Sequence, residues 1–304
     1  MSKVMLIGGS GFVGSHLCEH LVRAGWQITL LTRRASQARH LQHLPGLTVQ
    51  VADVHDETAL RRLLPGHDAV VNLVAILHGD APAFERAHVE LPTRLASACL
   101  ASGVPRLVHI SALGADAEQP QAAPSLYLRS KSQGEAALRA AAGLRLSVLR
   151  PSVIYGAEDR FLNLFARLQR VFPVLPLAAA HARFQPVWVV DVAQAIVRCL
   201  HDRHTVGQTY ELCGPDILSL RQLVQLAGRA SRGSARPVIG LPPVLGRLQA
   251  RLMELAPGAP LMSRDNLDSM SIDNVCSGQR PGLAALGIVP AAVAAVAPGY
   301  LGRH

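Results

Sequence analysis

The sequence predicts an α/β fold, a doubly wound parallel sheet followed by a second, smaller, mainly helical lobe. Three observations carry that prediction. Short β-branched runs alternate with helical stretches through the first half of the chain. These runs are continuously apolar, as strands covered on both faces must be. A glycine-rich turn follows the first of them at once.

In chain order, the strand-like runs are KVMLIG, QITLLT, LTVQVAD, DAVVNLVA, RLVHIS and LRLSVLR, with crossover helices between them. After Pro151 the rhythm changes. FLNLFARLQRVF is helical, Pro173 and Pro176 break the chain, and RFQPVWV and QTYELCG are strand-like, with a helix opening at Asp191 as its N-cap. Residues 1–155 are therefore expected to form a Rossmann domain, with segments near 184–213 returning to it. Residues 156–304 make the smaller lobe, facing a substrate or partner. Within LPPVLGRLQARLMELAPG, Val244, Leu248, Leu252 and Leu255 share one helical face, with Arg247 towards its polar flank. The first reading is a helix packed on the core of that lobe, and the alternative is a docking surface for a partner or membrane.

At 304 residues the chain can bury a large core, and its 49% hydrophobic against 17% charged residues argue against disorder. Gly, Pro, Arg or His interrupts every apolar run before the ~20 residues a spanning helix needs. An integral membrane protein is therefore excluded. The N-terminus MSKVMLIGGSG lacks the long apolar region of an export signal, and it starts almost at the first strand. Cys18, Cys99, Cys199, Cys213 and Cys276 are scattered and odd in number, which reads as reduced thiols in a cytosol with no structural disulfide. Thirty Lys and Arg against 21 Asp and Glu give a net charge of +9, which favours anionic partners such as nucleotides, phospholipid head groups or acidic proteins. Nucleic acid is set aside, because aromatics are 4% and no basic run is interleaved with stacking residues.

The segment GGSGFVG places Gly8, Gly11 and Gly14 in a GxxGxxG frame, with Phe12 and Val13 opening the helix behind it. Glycine permits the tight turn and close backbone approach, and the free N–H groups of the helix start bind a pyrophosphate. A NAD-selective fold ends its second strand on an acid that holds the ribose 2′-hydroxyl. Here the second strand ends with Thr32, Arg33 and Arg34. Arginine offers donors to a 2′-phosphate and no acceptor to a hydroxyl, so NADP(H) is favoured over NAD(H). Asp53 is placed for the adenine amino group, with Val54 beside it. Asn72, Leu73, Val74 and Ala75 should pass beneath the cofactor, and Pro151 and Val153 should line its far end.

YLRSKSQGE puts Tyr127 and Lys131 one helical turn apart, and Ser111 ends a predicted strand, where open α/β sheets hold their ligands. A free phenol titrates near pH ~10, and a neighbouring ammonium is expected to lower that value. Tyr127 is assigned as acid/base at a carbonyl or carbinol, and Lys131 as its electrostatic partner and ribose anchor. Ser111 is assigned to orient the substrate oxygen.

The glycine frame, Ser111 and the YxxxK pair together resemble an extended, or atypical, short-chain dehydrogenase/reductase. YLRSKSQGE, DRFLNLFA, QPVWVVDVA, SRDNLDSMSIDN and GLAALGI narrow this to a resemblance over nearly the whole chain. They resemble the NADPH-binding accessory subunits of mitochondrial respiratory complex I and their bacterial relatives. That resemblance implies a tightly held NADPH near a membrane-associated respiratory partner, with no turnover required. The early start of the first strand points to a bacterial, cytoplasmic member, peripheral at the inner membrane.

Other constellations have plainer readings. His16 and His20 lie one turn apart without a carboxylate to complete a metal site. Arg183 is either a ligand for a phosphate or acidic partner or a solvated charge. Tyr155 is expected to pack rather than line a pocket. Two functions remain, an NADP(H)-dependent oxidoreductase, epimerase or dehydratase acting on a small or lipophilic substrate, and a non-catalytic NADPH-holding accessory or assembly protein.

Overall fold

In a computed structural model, described for residues 1–255, 258 and 260–302, seven parallel strands form one sheet. Ala256 and Pro257 of the amphipathic stretch lie outside the described residues. The strands are β1 (Lys3–Ile7), β2 (Gln27–Thr32), β3 (Leu47–Val51), β4 (Ala69–Asn72), β5 (Arg106–Ile110), β6 (Arg145–Pro151) and, from the second half of the chain, β11 (Thr209–Leu212). Their order is β11-β6-β5-β4-β1-β2-β3, so it reverses between β1 and β4, and a ligand crevice is expected there. β4, β5 and β11 are buried at every residue, whereas the edge strand β3 is largely open to water.

Helices cover both faces. α1 (Phe12–Arg23) and α7 (Val189–His201) pack on one side, around Leu17, Leu21, Val192 and Ile196. α2 (Glu57–Leu63), α4 (Leu91–Ala101) and α5 (Leu126–Ala140) cover the other, around Leu60, Leu95 and Leu138. A short helix, α3 (Ala81–Glu85), runs into α4 through a π turn at Arg86–Glu90.

The remaining elements build a third apolar core. α6 (Leu162–Val171) pairs with α8 (Leu220–Arg232), α8 packs on β13 (Val238–Gly240), and β13 pairs with β8 (Leu175–Leu177), all within one apolar cluster. β7 (Ile154–Tyr155) pairs with β10 (Val187–Trp188), and β9 (Arg183–Phe184) pairs with β12 (Leu218–Ser219). α9 (Pro243–Glu254) and α10 (Arg264–Ser269) follow, and α11 (Val293–Val296) and α12 (Pro298–Leu301) close the chain. Among the described residues, no helix is long and apolar enough to cross a membrane.

Three expectations are corrected. Cys213 and Cys276 form a disulfide, leaving Cys18, Cys99 and Cys199 as buried thiols. Pairing depends on proximity in the fold, here a Cα separation of 6.2 Å across 63 residues of sequence, and no spacing motif reports it. Asp191 is not a cap, since α7 begins two residues earlier with Trp188 at its N-cap. The Asp191 carboxylate instead accepts the Ala291 amide at 2.9 Å, and burial raises its pKa. Finally, α9 does not bury its leucine face. It packs through Gly246 and Ala250, and Val244, Leu248, Leu252 and Leu255 stand in solvent.

Candidate functional site

The turn from β1 into α1 lies at the sheet's reversal point. Gly8 has φ +82°, and a Cβ there would come within 3.1 Å of the Val74 amide nitrogen just beyond β4. At Gly14 a side chain would run into the Gly9 backbone. Gly11 caps α1 without a side-chain acceptor, and no acid sits in the first turn. The site thus has the backbone closeness, bare N–H groups and positive helix end that a pyrophosphate needs. Phe12 opens α1, and its ring reaches Gly156 at the start of the second lobe.

Thr32 is buried at the end of β2, and its hydroxyl receives the Arg34 amide at 3.4 Å. Arg33 and Arg34 project into solvent, with no acidic partner among the described residues. Asp53, exposed past the end of β3, accepts the His55 amide at 3.0 Å, and Val54 is half-buried behind it. Asn72 is fully buried. Its oxygen accepts the Val74 amide at 3.2 Å, and its amide nitrogen donates to His109 Nδ1 at 3.2 Å. Leu73 and Val74 are half-buried and Ala75 is exposed along the same crevice.

The acid/base candidates gather at the carboxyl end of β5. Lys131 is 1% exposed and donates to the Ile110 carbonyl at 3.1 Å, which sets its ammonium beside Ser111. Tyr127, one turn earlier on α5, packs with Ala112 and Leu128 and lies edge-on to His88 and Phe84. The Ser111 hydroxyl and His109 Nε2 are buried without a hydrogen-bond partner. A buried polar atom left unpaired costs about 1–3 kcal/mol, so such atoms suit a pocket whose ligand answers them. A dinucleotide with polar ribose and carboxamide groups fits this requirement.

Burial pushes the Tyr127 phenol up to about 12 and lowers Lys131 to about 8, the latter against an opposing pull from Glu135. The expected lowering of the phenol by the ammonium is thus not seen, and burial alone sets the direction of its shift. Behind Lys131, Glu135 and Arg150 form a buried two-pronged ion pair at 2.6 and 2.8 Å that fastens α5 to β6. Pro151 ends β6 and accepts the Leu113 amide at 3.0 Å.

Several contributing residues escaped the sequence reading. His88 lies in the π turn, where its carbonyl crowds Gly134 of α5 so closely that no side chain would fit there. The Ile76 amide donates to His88 Nε2, which puts the ring proton on Nδ1, facing Ser130 Oγ at 2.8 Å. Ser130 in turn donates to the Tyr127 carbonyl at 2.8 Å. Burial, aided by Lys131, drives His88 down to about 2, so it is neutral. Asp265 of α10 accepts the amides of Leu126 and Tyr127 at 2.6 and 3.2 Å. Asn274 accepts the Val153 amide at 3.0 Å and the Ser152 hydroxyl at 2.6 Å, fixing the turn after Pro151. The available signal was the SRDNLDSMSIDN stretch, which contains both Asp265 and Asn274.

The remaining candidates lie elsewhere. Arg183 pairs with Asp273 at 3.3 Å on the surface. Tyr155 is fully buried and donates to the Ala291 carbonyl at 3.0 Å. His16 stacks edge-on against Phe12, and among the described residues no three His, Cys, Asp or Glu side chains gather as metal ligands.

The model of the NAD dependent epimerase/dehydratase family matches residues 4–213. A mouse protein, NADH dehydrogenase [ubiquinone] 1 alpha subcomplex subunit 9, mitochondrial, is 31% identical, over 98% of this chain and 79% of its own length. Ceramide reductase of Caulobacter vibrioides is 32% identical, over 64% of this chain and 59% of its own length. Among solved structures, a nucleoside-diphosphate-sugar epimerase from Staphylococcus aureus superposes with TM-score 0.74 at 15% identity, covering 97% of this chain and 98% of that one.

Proposed function

The chain belongs to the NAD dependent epimerase/dehydratase family, and from that premise we propose that it binds NADP(H) and moves hydride to or from a carbonyl or carbinol carbon. The observation that carries this reading is the hydrogen bond from Lys131 to the Ile110 carbonyl. It brings a buried ammonium, the Tyr127 helix and the unpaired Ser111 hydroxyl to one strand end at the crevice. A buried cation with one hydrogen bond and a buried hydroxyl with none are poor core design but sound site design.

When bound, the nicotinamide supplies or accepts the hydride. Ser111 donates to the substrate oxygen and holds it towards Tyr127. Tyr127 gives its proton to that oxygen as an alkoxide develops, or takes it back in the oxidative direction. Lys131 holds the ribose hydroxyls and stabilises the phenolate left behind. Arg33 and Arg34 grip a 2′-phosphate, since both stand clear of acids past the end of β2.

A second reading, that of an accessory or assembly protein holding NADPH without turnover, is favoured by the respiratory-complex subunit whose similarity spans nearly the whole chain. One experiment separates the two. NADPH fluorescence is followed on the purified protein while carbonyl and quinone compounds are added. Oxidation that Tyr127→Phe prevents, with the cofactor retained, supports the enzyme. A cofactor that neither oxidises nor exchanges supports the accessory role. Unchanged NADPH affinity in Arg33→Glu would remove the 2′-phosphate assignment.

A further inference from the structure

Helix α9 is oriented against the rule for a helix on a soluble core. Its small residues, Gly246 and Ala250, face inward, and a Cβ on Gly246 would lie 2.9 Å from that of Ala178. Its large aliphatic residues face outward. Val244, Leu245, Leu248, Leu252 and Leu255 are each between 50% and 78% exposed. At 3.6 residues per turn these five share one sector of the helix, with Arg247 and Arg251 along its flank. The apolar surface continues beyond the helix. Gln249 of α9 donates to the Pro176 carbonyl at 3.2 Å, and Pro176 is the register partner of Ile239, which is 57% exposed. The end of α6 and the connection entering β8 carry further exposed apolar residues, Val171, Phe172 and Val174.

Two sequence stretches of this lobe are arginine-rich and free of acids. From residue 217 to 253 the sequence holds six arginines and no Asp or Glu, and from 160 to 190 it holds four arginines and again no acid. The acids bordering α9 are already engaged, Asp268 with Arg247 at 3.1 Å and Glu254 with Arg264 at 2.8 Å. Arg251 adds to the positive field that lowers the Glu254 carboxyl, after the hydrogen bonds from Arg264, and among the described residues it forms no ion pair of its own.

We propose that this face of the second lobe seats on a bilayer containing anionic phospholipid, with the α9 leucines at the acyl boundary and the arginines at the phosphates. An aliphatic helix face flanked by arginine, with its bordering acids already paired, is the pattern of an in-plane interfacial helix. A second copy of the chain fits poorly, because a two-fold contact would set arginines against arginines. The seat is also close to the site. Arg247 holds α10 through Asp268, and α10 caps the Tyr127 helix through Asp265. The inference needs neither turnover nor a cofactor, so it stands or falls apart from the proposed function.

The test is co-sedimentation of the full chain with vesicles of phosphatidylcholine alone and with vesicles of equal parts phosphatidylcholine and phosphatidylglycerol. Binding is expected to the mixed vesicles, to weaken in high salt, and to be slight on the neutral ones. Leu248→Glu with Leu252→Glu should weaken it by at least about tenfold, and Arg251→Gln by about fivefold. Both substitutions leave the melting temperature unchanged, since the side chains are exposed. Protein that stays in the supernatant with both vesicle types overturns the proposal, as does equal sedimentation of parent and double variant. A dimer seen by light scattering that Leu248→Glu with Leu252→Glu splits also overturns it, in favour of a protein interface.

Discussion

Asp265 reaches back 138 residues to accept the backbone amide of Tyr127 at 3.2 Å, and takes the Leu126 amide at 2.6 Å with its other oxygen. Ser125 accepts the next free amide, from Leu128, at 3.2 Å, and Ser269 of α10 donates to Ser125 at 2.7 Å. The N-terminus of the helix bearing the acid/base candidate is thus closed by a segment from the other end of the chain.

Asp265→Ala should therefore loosen the first turn of α5 without touching the cofactor crevice. Loss of a charged cap costs about 1–2 kcal/mol, which in a protein of this size lowers Tm by about 2–5 °C. Asp265→Asn, which keeps one acceptor, should lose about half as much. Thermal melts with NADPH titrations check this. The expected pattern is a lower Tm with NADPH affinity retained, and equal loss of both would place Asp265 in the cofactor site instead.

Lys131 supplies a test with a defined sign. Its folded pKa of about 8 lies below the ordinary 10.5, so between those values the unfolded chain holds more protons than the folded one. Stability must then rise as pH climbs from about 8 towards 10.5, by ~3 kcal/mol if this group acted alone. Lys131→Met removes the buried charge, so the variant should be more stable than the parent at pH 7 and the difference should shrink above pH 8. The same variant should fail to bind NADPH. Denaturant unfolding across that window decides it, and a less stable variant at neutral pH would show that the ammonium serves the fold.

The core of the fold was legible because burial on both faces leaves a plain record, continuous apolar runs such as VMLI in β1 and AVV in β4. The glycine turn was legible because only glycine fits at Gly8 and Gly14. What escaped depends on proximity that sequence does not encode locally. Asp265 and Asn274 act on residues more than a hundred positions away. The face of α9 misled for another reason. Periodicity groups Val244 with Leu248 and Leu252, yet which side turns inward was decided by the fit of Gly246 against Ala178.

The Glu135–Arg150 pair carries a third prediction. Both side chains are almost fully buried, at 0% and 8% exposure, and their forked contact ties α5 to β6 one turn beyond Lys131. Glu135→Ala strands the guanidinium and should cost about 3–5 kcal/mol. Replacing both, with Glu135→Leu and Arg150→Met, should cost much less, because no buried charge remains. A double-mutant cycle by urea unfolding measures the coupling, and additive losses would show the two residues acting separately.

The Cys213–Cys276 bridge closes a loop that contains α8, α9 and α10, and so constrains the segment that delivers Asp265 to Tyr127. Closing a loop of 63 residues removes conformational entropy from the unfolded chain worth ~4 kcal/mol. Reductant should therefore lower the melting temperature of the parent protein. Cys213→Ser with Cys276→Ser should melt at the reduced value and ignore reductant. The buried thiols Cys18, Cys99 and Cys199 cannot mimic this response, since burial raises all three well above the ordinary thiol value and keeps them protonated. A parent melt that reductant leaves unmoved would mean that the two sulfurs are not joined in solution, and that α10 is held by its cap and packing alone.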